Sequence, residues 1–164
     1  MRWIWIDRFE SFESGKSATA VKNLSLAEDH FADHFPGYPV MPAPLILEGL
    51  AQTGGILVGD ANGYTKNVIL AKIPKATFHR DALAGETLTY TTTLLQMGEV
   101  GGLVAGTVRV GDELIAEAEI FFAHVDPSQA KDLLGTDNFV FTGTLQKMLG
   151  LAKAAARANG TPKE

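Results

Sequence analysis

The stretch His34-Phe-Pro-Gly-Tyr-Pro-Val-Met-Pro-Ala-Pro-Leu-Ile-Leu-Glu48 joins a stiff connection to an apolar segment. Four prolines stiffen it, because proline fixes its own φ and moves the preceding residue away from helical geometry. We therefore expect residues 34–43 to be extended, rigid and irregular. Pro44 suits the first turn of a helix, where a missing N–H costs nothing. The sequence predicts a helix from about Pro44 to about Val58.

This predicted helix has almost no polar face, which is typical of a helix buried on all sides. Its apolar residues are Leu45, Ile46, Leu47, Leu50, Ala51, Ile56, Leu57 and Val58. Glu48 is the exception, and a buried carboxylate is costly unless it has a partner or is neutralised. The position of Glu48 therefore calls for a chemical or structural reason.

Composition indicates one soluble globular domain. The chain has 164 residues, 46% of them hydrophobic, which is enough for a sizeable core. It has no cysteine, so neither disulfides nor thiolate chemistry are expected, and a cytoplasmic location is favoured. No apolar run is long enough to span a membrane, and we expect no leader sequence, because the N-terminal residues lack a basic region followed by an apolar one. The net charge of −5 argues against general nucleic-acid binding.

The segments on either side of the helix predict an antiparallel sheet. Met1–Asp7 is expected to be a short strand, Arg8–Gly15 a turn region and residues 25–33 a polar loop. A hairpin is expected across Gly111-Asp112, which has the chemistry of a tight turn. The remaining predicted strands are 16–24, 68–83 with Pro74 at an edge or bulge, 86–97, 103–110 and 113–125. The pattern predicts an α+β fold in which the sheet wraps a central helix.

A break at Asp126-Pro127 suggests two parts, residues 1–125 and a helical extension over residues 126–164. A helix is predicted from about Thr144 to Ala158. Its apolar stripe comprises Leu145, Met148, Leu149, Ala152 and Ala156. This stripe predicts packing on the domain or on a neighbouring subunit.

An imidazole and a carboxylate joined by a stiff loop suit acid–base chemistry. A histidine side chain such as that of His34 can accept a proton at little cost, and a carboxylic acid held in an apolar helix, as predicted for Glu48, can donate one. The N-terminus of the helix between them offers free N–H groups that stabilise a developing enolate. Ala43 is the candidate donor, since Pro42 and Pro44 have no N–H. These groups suit removal of a proton next to a carbonyl with loss of a β-hydroxyl.

Structural roles for the same residues stay open. His34 is alternatively a loop histidine, and Glu48 a carboxylate satisfied by loop N–H groups. Gln52, one turn after Glu48, either orients that carboxylate or fills the core. Metal binding is a further alternative, because histidines 30 and 34 and aspartates 29 and 33 are residue types that ligate metals. Their spacing would suit a helix, which the following prolines disfavour, so we expect no metal. Lys72, Lys75 and Arg80 form either a docking patch for an acidic carrier protein or a solvated face.

The stretch from His34 to Glu48, with Ala51-Gln52, closely resembles the signature of the bacterial 3-hydroxyacyl-[acyl carrier protein] dehydratases of the FabA/FabZ family. The resemblance covers roughly residues 3–124 and implies a hot-dog fold. It also includes Asp7-Arg8, Ala20–Ser25, Ala76–Arg80 and Glu117-Ala118. A glutamate at position 48 resembles the FabZ type; the FabA type carries aspartate there.

The resemblance implies a role for each site residue. His34 would be the base and Glu48 the acid, contributed by different protomers of a homodimer; a trimer of dimers is also open. Phe35, Gly37, Ala43 and Gln52 would bind substrate. No cofactor is implied, since the substrate is carried on the phosphopantetheine of acyl carrier protein.

The chain departs from the family at Pro42-Ala-Pro-Leu45, where Pro-Gly-Val-Leu is usual. An alanine at position 43 keeps the N–H but adds a methyl group and disfavours positive φ. The expected activity is dehydration of (3R)-hydroxyacyl thioesters in fatty acid or related lipid synthesis. The alternatives are a hot-dog thioesterase and a catalytically inactive acyl-binding homologue.

Overall fold

A computed structural model of the chain describes residues 3–126, 128 and 142–159. Its helices are α1 (Asp29–Asp33), α2 (Ala43–Ala61) and α3 (Thr142–Asn159). Its strands are β1 (Arg8–Glu13), β2 (Ser17–Asn23), β3 (Val40–Met41), β4 (Asn67–Phe78), β5 (Ala82–Leu83), β6 (Thr87–Met97), β7 (Gly101–Val110) and β8 (Glu113–Val125). None of the described helices combines the length and apolarity that crossing a membrane requires.

Six strands form one antiparallel sheet in the order β1-β2-β6-β7-β8-β4. The neighbours β6, β7 and β8 follow one another along the chain, as short connections between strands favour. Gly111 turns the β7–β8 hairpin with a φ of 56°, a conformation that costs glycine little. A second, two-stranded sheet pairs β3 with β5. The hairpin and the long strands agree with the predicted elements.

The sheet wraps α2, and glycines bring the two layers close together. A Cβ placed on Gly49 would lie 2.6 Å from the Tyr90 hydroxyl oxygen. One on Gly54 would lie 2.9 Å from Cγ2 of Val104. Gly49 and Gly54 are therefore contact points at which no larger side chain fits without movement. This arrangement, with a helix after the sheet, confirms the predicted α+β hot-dog fold.

Helix α2 begins one residue earlier and ends three residues later than predicted. Pro42 caps it with extended geometry (φ −55°, ψ 133°), and Pro44 lies in its first turn. The expectation of burial on all sides is wrong for a single protomer. Pro44 is exposed and Leu45, Leu47 and Glu48 are only half-buried, so one side of the first half of α2 is incompletely covered.

The predicted N-terminal strand is wrong in position. Residues 3–6 are irregular although Trp5 and Ile6 are buried, and the strand starts at Arg8, where a turn region was expected. The sequence does not reveal β1 as a strand because a register shift between Phe9 and Ser11 interrupts its alternation. The shift places the rings of Phe9 and Phe12 5.9 Å apart despite their three-residue spacing, which hides the period of two in the sequence.

Two further segments refine the prediction. Residues 29–33 form the short helix α1 rather than a polar loop. Strand β4 is an edge strand, and register shifts between Leu70 and Lys75 interrupt its pairing with β8. Pro74 lies in this interrupted part, where a residue without an N–H disturbs the ladder least.

Helix α3 packs on β1 and α2. Leu145 and Leu149 of its predicted stripe are buried, and Met148 and Ala152 pack against the core; the side chain of Ala156 lies outside the described residues. Lys153 Nζ lies 3.1 Å from Asp60 Oδ1 and 4.7 Å from the centre of the Phe12 ring. The ion pair ties α3 to α2, and the cation–π contact ties it to β1. The division at residue 126 stays a prediction.

Candidate active site

His34 ends helix α1, and backbone hydrogen bonds fix it on both sides. Its N–H donates to the His30 carbonyl oxygen at 3.1 Å, and its own carbonyl oxygen accepts the Val40 N–H at 2.6 Å. Phe35 and Tyr38 exchange N–H donors and carbonyl acceptors at 2.9–3.0 Å. Gly37 in this turn has a φ of 85°, which glycine adopts at little cost. The loop thus holds an exposed imidazole in a defined place.

His34 lines a cavity of about 330 Å³ that also reaches the first turn of α2. Its other walls come from Asp29, His30, Asp33, Pro42, Pro44 and Leu45. The N–H groups of Leu45 and Ile46 donate to the Pro42 carbonyl oxygen, and Pro44 has no N–H. Within the described residues, the Ala43 N–H has no such acceptor and remains as the free donor of this turn.

The alanine at position 43 fits its helical place without strain. Among the described residues other than glycine, only Tyr64 has a positive φ. Ala43 therefore keeps an ordinary helical backbone, and the added methyl group does not require the left-handed conformation that favours glycine. The alanine that replaces the usual glycine at position 43 therefore still provides a free N–H at the start of α2.

Glu48 lines a different and larger cavity, of about 730 Å³. Its Oε1 accepts a hydrogen bond of 3.1 Å from Gln52 Nε2. Gln52 Nε2 also donates to the Trp3 carbonyl oxygen at 3.2 Å, and Gln52 Oε1 accepts the Trp5 N–H at 2.8 Å. Gln52 thus fixes the irregular N-terminal segment on α2 and orients the Glu48 carboxylate.

His34 and Glu48 do not line the same cavity within one protomer. His34 borders the cavity at the start of α2, whereas Glu48 borders the one that follows α2 toward its C-terminus. A reaction that uses both side chains at once needs a second protomer to bring them together. The catalytic assignment of the two residues stays a prediction.

The other candidate residues are dispersed. Phe35 is 56% exposed and lines neither cavity. Lys72 and Lys75 are exposed on β4, and Lys75 lies 3.7 Å from Glu117. Arg80 is held by Glu113 and Glu86 at 2.9 and 3.1 Å, and these hydrogen bonds raise its pKa. Arg80 is thus already engaged, and the carrier-docking role of the three cations stays a prediction.

His30 is a further part of the cavity wall beside His34, a place that was not predicted from the sequence. The residue is 8% exposed, and its Nε2 has no hydrogen-bond partner among the described residues. The ring centres of His30 and Trp5 are 5.5 Å apart. Burial lowers the pKa of His30, which therefore favours its neutral form. The near-repeat of Asp29-His30-Phe31 and Asp33-His34-Phe35 in the sequence is the one signal that could have indicated a place for His30 near His34.

A buried lysine anchors the segment before α1. Lys22 Nζ lies 2.7 Å from Glu28 Oε1 and 3.4 Å from Asp7 Oδ1. The same Asp7 accepts the Asn23 N–H at 2.7 Å. This cluster joins β2 to the residues before α1, so it supports the site without lining either cavity. In the described part of the chain, no three His, Asp or Glu side chains converge on a metal position.

A family model described as FabA-like domain matches residues 3–119. The chain belongs to the FabA-like family. It is 38% identical over 122 residues to the 3-hydroxyacyl-[acyl-carrier-protein] dehydratase FabZ of Desulforamulus reducens, an alignment that covers 74% of this chain and 86% of the relative. The enzyme of the same name from Pelotomaculum thermopropionicum is 39% identical over 122 residues, with 74% and 87% covered.

Among solved structures, this FabA-like chain resembles smu.793 from Streptococcus mutans bound to acetyl CoA. The TM-score is 0.59 at 15% identity, and the match covers 73% of this chain and 90% of the other. At that identity the likeness shows a shared fold alone. The sequence relatives confirm the resemblance on which the family and the class of enzyme were predicted.

Proposed function

We propose that this FabA-like protein dehydrates (3R)-hydroxyacyl thioesters carried on acyl carrier protein to trans-2-enoyl thioesters. The observation that carries the proposal is the cavity where His34 and the first turn of α2 meet. It places the His34 imidazole beside Pro42 and Pro44, the two residues that flank the free N–H of Ala43 in the chain. Proton removal next to a thioester carbonyl needs such an acceptor and donor. The family relatives named as FabZ dehydratases support the same reaction.

In the proposed reaction the imidazole of His34 accepts the proton from C2 of the substrate. The electron pair of that C–H bond forms the C2–C3 double bond, and the Ala43 N–H stabilises the charge that develops on the thioester oxygen. The C3–O bond breaks, and Glu48 donates a proton to the leaving hydroxyl, which departs as water. Gln52 Nε2, 3.1 Å from Glu48 Oε1, orients this acid. No cofactor takes part.

We propose that the working unit is at least a homodimer in which His34 and Glu48 of opposite protomers share each site. The separate cavities of the two residues support this. So does the edge strand β4, on which Leu70, Ile73 and Phe78 are 39%, 36% and 41% exposed. An open apolar edge favours pairing with a second copy. A trimer of dimers is compatible with this unit.

We propose that the carrier approaches the side chains of Lys72 and Lys75, which are exposed in one protomer, whereas the second copy pairs with the backbone edge of β4. Lys72 has no ion-pair partner in the described part of the chain, which suits attraction of an acidic carrier. We further propose a cytoplasmic location, which a sequence without cysteine favours.

The test is to incubate the purified protein with a 3-hydroxyacyl-carrier thioester and follow the absorbance of the enoyl product. We expect His34→Ala to lower kcat by about 10²–10⁴-fold, the range for loss of a general base. His79→Ala, the same change at an exposed histidine, is the control and should keep full activity. Equal turnover by wild type and His34→Ala contradicts the proposal. Release of free thiol without enoyl product would instead indicate a thioesterase.

A further inference from the structure

The larger cavity follows one side of α2 away from Glu48. Ala51, Gln52, Gly55, Ile56 and Gly59 line it, at spacings of three and four residues that place them along one face. The distance from residue 48 to residue 59 along a helix is about 16 Å at ~1.5 Å per residue. The cavity is thus an elongated groove that starts at the proposed acid, with small or apolar residues along most of its floor.

Several parts of the chain bound this groove beyond α2. The first residues of β4, from Asn67 to Leu70, form one side. Tyr64 lies at the far end, where a Cβ on Gly59 would be 2.9 Å from its ring carbon Cε1. Gly143, Leu145 and Gln146 of α3 form another part of the wall, and Trp3, Lys66 and Phe122 complete the lining. The wall therefore includes residues that lie more than eighty positions away from α2 in the sequence.

The wall supplied by α3 is fixed in place. Leu145 and Leu149 are each 4% exposed, so the first half of the helix is embedded in the core. Lys153 joins the same helix to Asp60 at the end of α2. A helix held at its first half and again one turn later keeps its first turn beside the groove.

Helix α3 also lies outside the FabA-like domain as the family model defines it, since that match ends at residue 119. The groove therefore has a wall that this chain adds to the family domain. A wall of this kind changes which acyl chains fit, because a cleft lined by apolar groups accepts or rejects a chain by its size.

We propose that α3 is the specificity-determining wall of the acyl site, and that it limits the length of the acyl chain bound along α2 beyond Glu48. The inference rests on the proposed dehydratase function, because it assigns the groove to the acyl chain of that substrate. The residues that set the limit are Gly143 and Gln146, which border the groove from the first turns of α3.

The test uses two glycines of the same helix. A Cβ on Gly143 or on Gly150 meets no atom of the described residues within 4 Å, so both Gly143→Phe and Gly150→Phe have room at the backbone there. Only Gly143 lines the groove. Either change also replaces a weak helix former, so the fold is expected to persist. Gln146→Ala serves as a second variant that widens the groove.

The measurement is kcat/KM for a 3-hydroxybutyryl and a 3-hydroxydodecanoyl thioester. We expect Gly143→Phe to lower the long-to-short ratio by about tenfold or more, as steric exclusion from an apolar pocket does. Gly150→Phe should leave the ratio unchanged, and Gln146→Ala should raise it. An unchanged long-to-short ratio of kcat/KM in both Gly143→Phe and Gln146→Ala overturns the inference. So does a changed ratio that is accompanied by a change in the native mass, because the effect would then come from altered oligomerisation.

A binding assay separates this inference from the proposed function. S-butyl and S-dodecyl pantetheine are thioethers that have neither a thioester carbonyl nor a 3-hydroxyl group on the chain, so calorimetric titration with them reports chain binding without any reaction. Loss of the preference for the longer chain in Gly143→Phe supports the wall even if no thioester is dehydrated. Turnover by wild type with equal long-chain affinity in wild type and Gly143→Phe supports the dehydratase and contradicts the wall.

Discussion

At the residue scale, the candidate site depends on how prolines distribute backbone donors. Pro44 has no N–H, and the N–H groups of Leu45 and Ile46 are used by the Pro42 carbonyl oxygen. The Ala43 N–H is thereby left as the donor of the first turn, next to the cavity that His34 lines. In the proposed reaction, a single donor at this place restricts where the thioester oxygen can bind.

Ala43→Pro tests this donor with little change to the backbone. Proline is favoured in the first turn of a helix, and the ψ of 133° at Pro42 suits a residue before proline. We expect kcat to fall by about 10²–10³-fold, as on removal of one oxyanion donor. Ala43→Gly keeps the N–H and should stay active. Full activity in Ala43→Pro, with unchanged thermal unfolding, would show that the donor is not used.

His30 gives the protein a pH-dependent stability. Burial lowers its pKa when folded, with Glu28 and Asp29 opposing and Lys22 and His34 reinforcing the shift. Its contribution is therefore complete above its ordinary pKa of about 6.5 and is lost as the pH falls through the lower folded value.

His30→Phe keeps an aromatic ring against Trp5 and removes the titration. We expect its free energy of unfolding to fall less than that of wild type between about pH 7.5 and 5.5. The unfolding free energies of the two proteins can diverge by at most about 1.4 kcal/mol per pH unit, because only one titrating proton is removed. Urea denaturation at both pH values measures it. Parallel losses in the two proteins would assign the acid sensitivity to other groups.

At the scale of elements, the contact between α2 and the sheet depends on glycine. Gly49 faces the ring of Tyr90 so closely that a methyl group would overlap it, whereas a Cβ on Gly55 would lie 3.4 Å from Phe122. The two glycines lie in one helix and differ mainly in this clearance. They therefore separate overpacking from the general effect of glycine on helix stability.

Gly49→Ala is expected to lower the free energy of unfolding by about 1–3 kcal/mol, the usual cost of an overpacked core. Gly55→Ala should be neutral or stabilising, since alanine is the better helix former by about 1 kcal/mol. Thermal or chemical denaturation of the two variants measures the contrast. Equal stability of Gly49→Ala and Gly55→Ala would mean that Tyr90 moves to make room for the added methyl group.

The elements that the sequence predicts well are those with a regular pattern. The hairpin over Gly111 and the long strands β6 and β8 have clear turn and strand signals, and α2 has its prolines. Strand β1 was missed because the shift between Phe9 and Ser11 breaks its alternation. The short helix α1 was missed because its five polar and apolar residues show no period. The separate cavities of His34 and Glu48 have no signal in the sequence, since they depend on tertiary packing.

At the scale of the whole molecule, the proposed reaction requires two protomers. In one protomer the first half of α2 is partly uncovered, and β4 presents an apolar edge. The two candidate catalytic residues lie in separate cavities. A second copy that covers these surfaces would complete each site with a residue from either chain. Oligomerisation is then a condition of catalysis and not only of stability.

Complementation between two inactive variants tests this claim most directly. His34→Ala and Glu48→Gln are each expected to be inactive, and co-expression with two different tags allows the mixed dimer to be isolated. If the sites are shared, each mixed dimer contains one intact site and one site lacking both residues, so it should have about half the turnover of a wild-type dimer. A purified mixed dimer with no activity above that of the two parents would contradict the shared site.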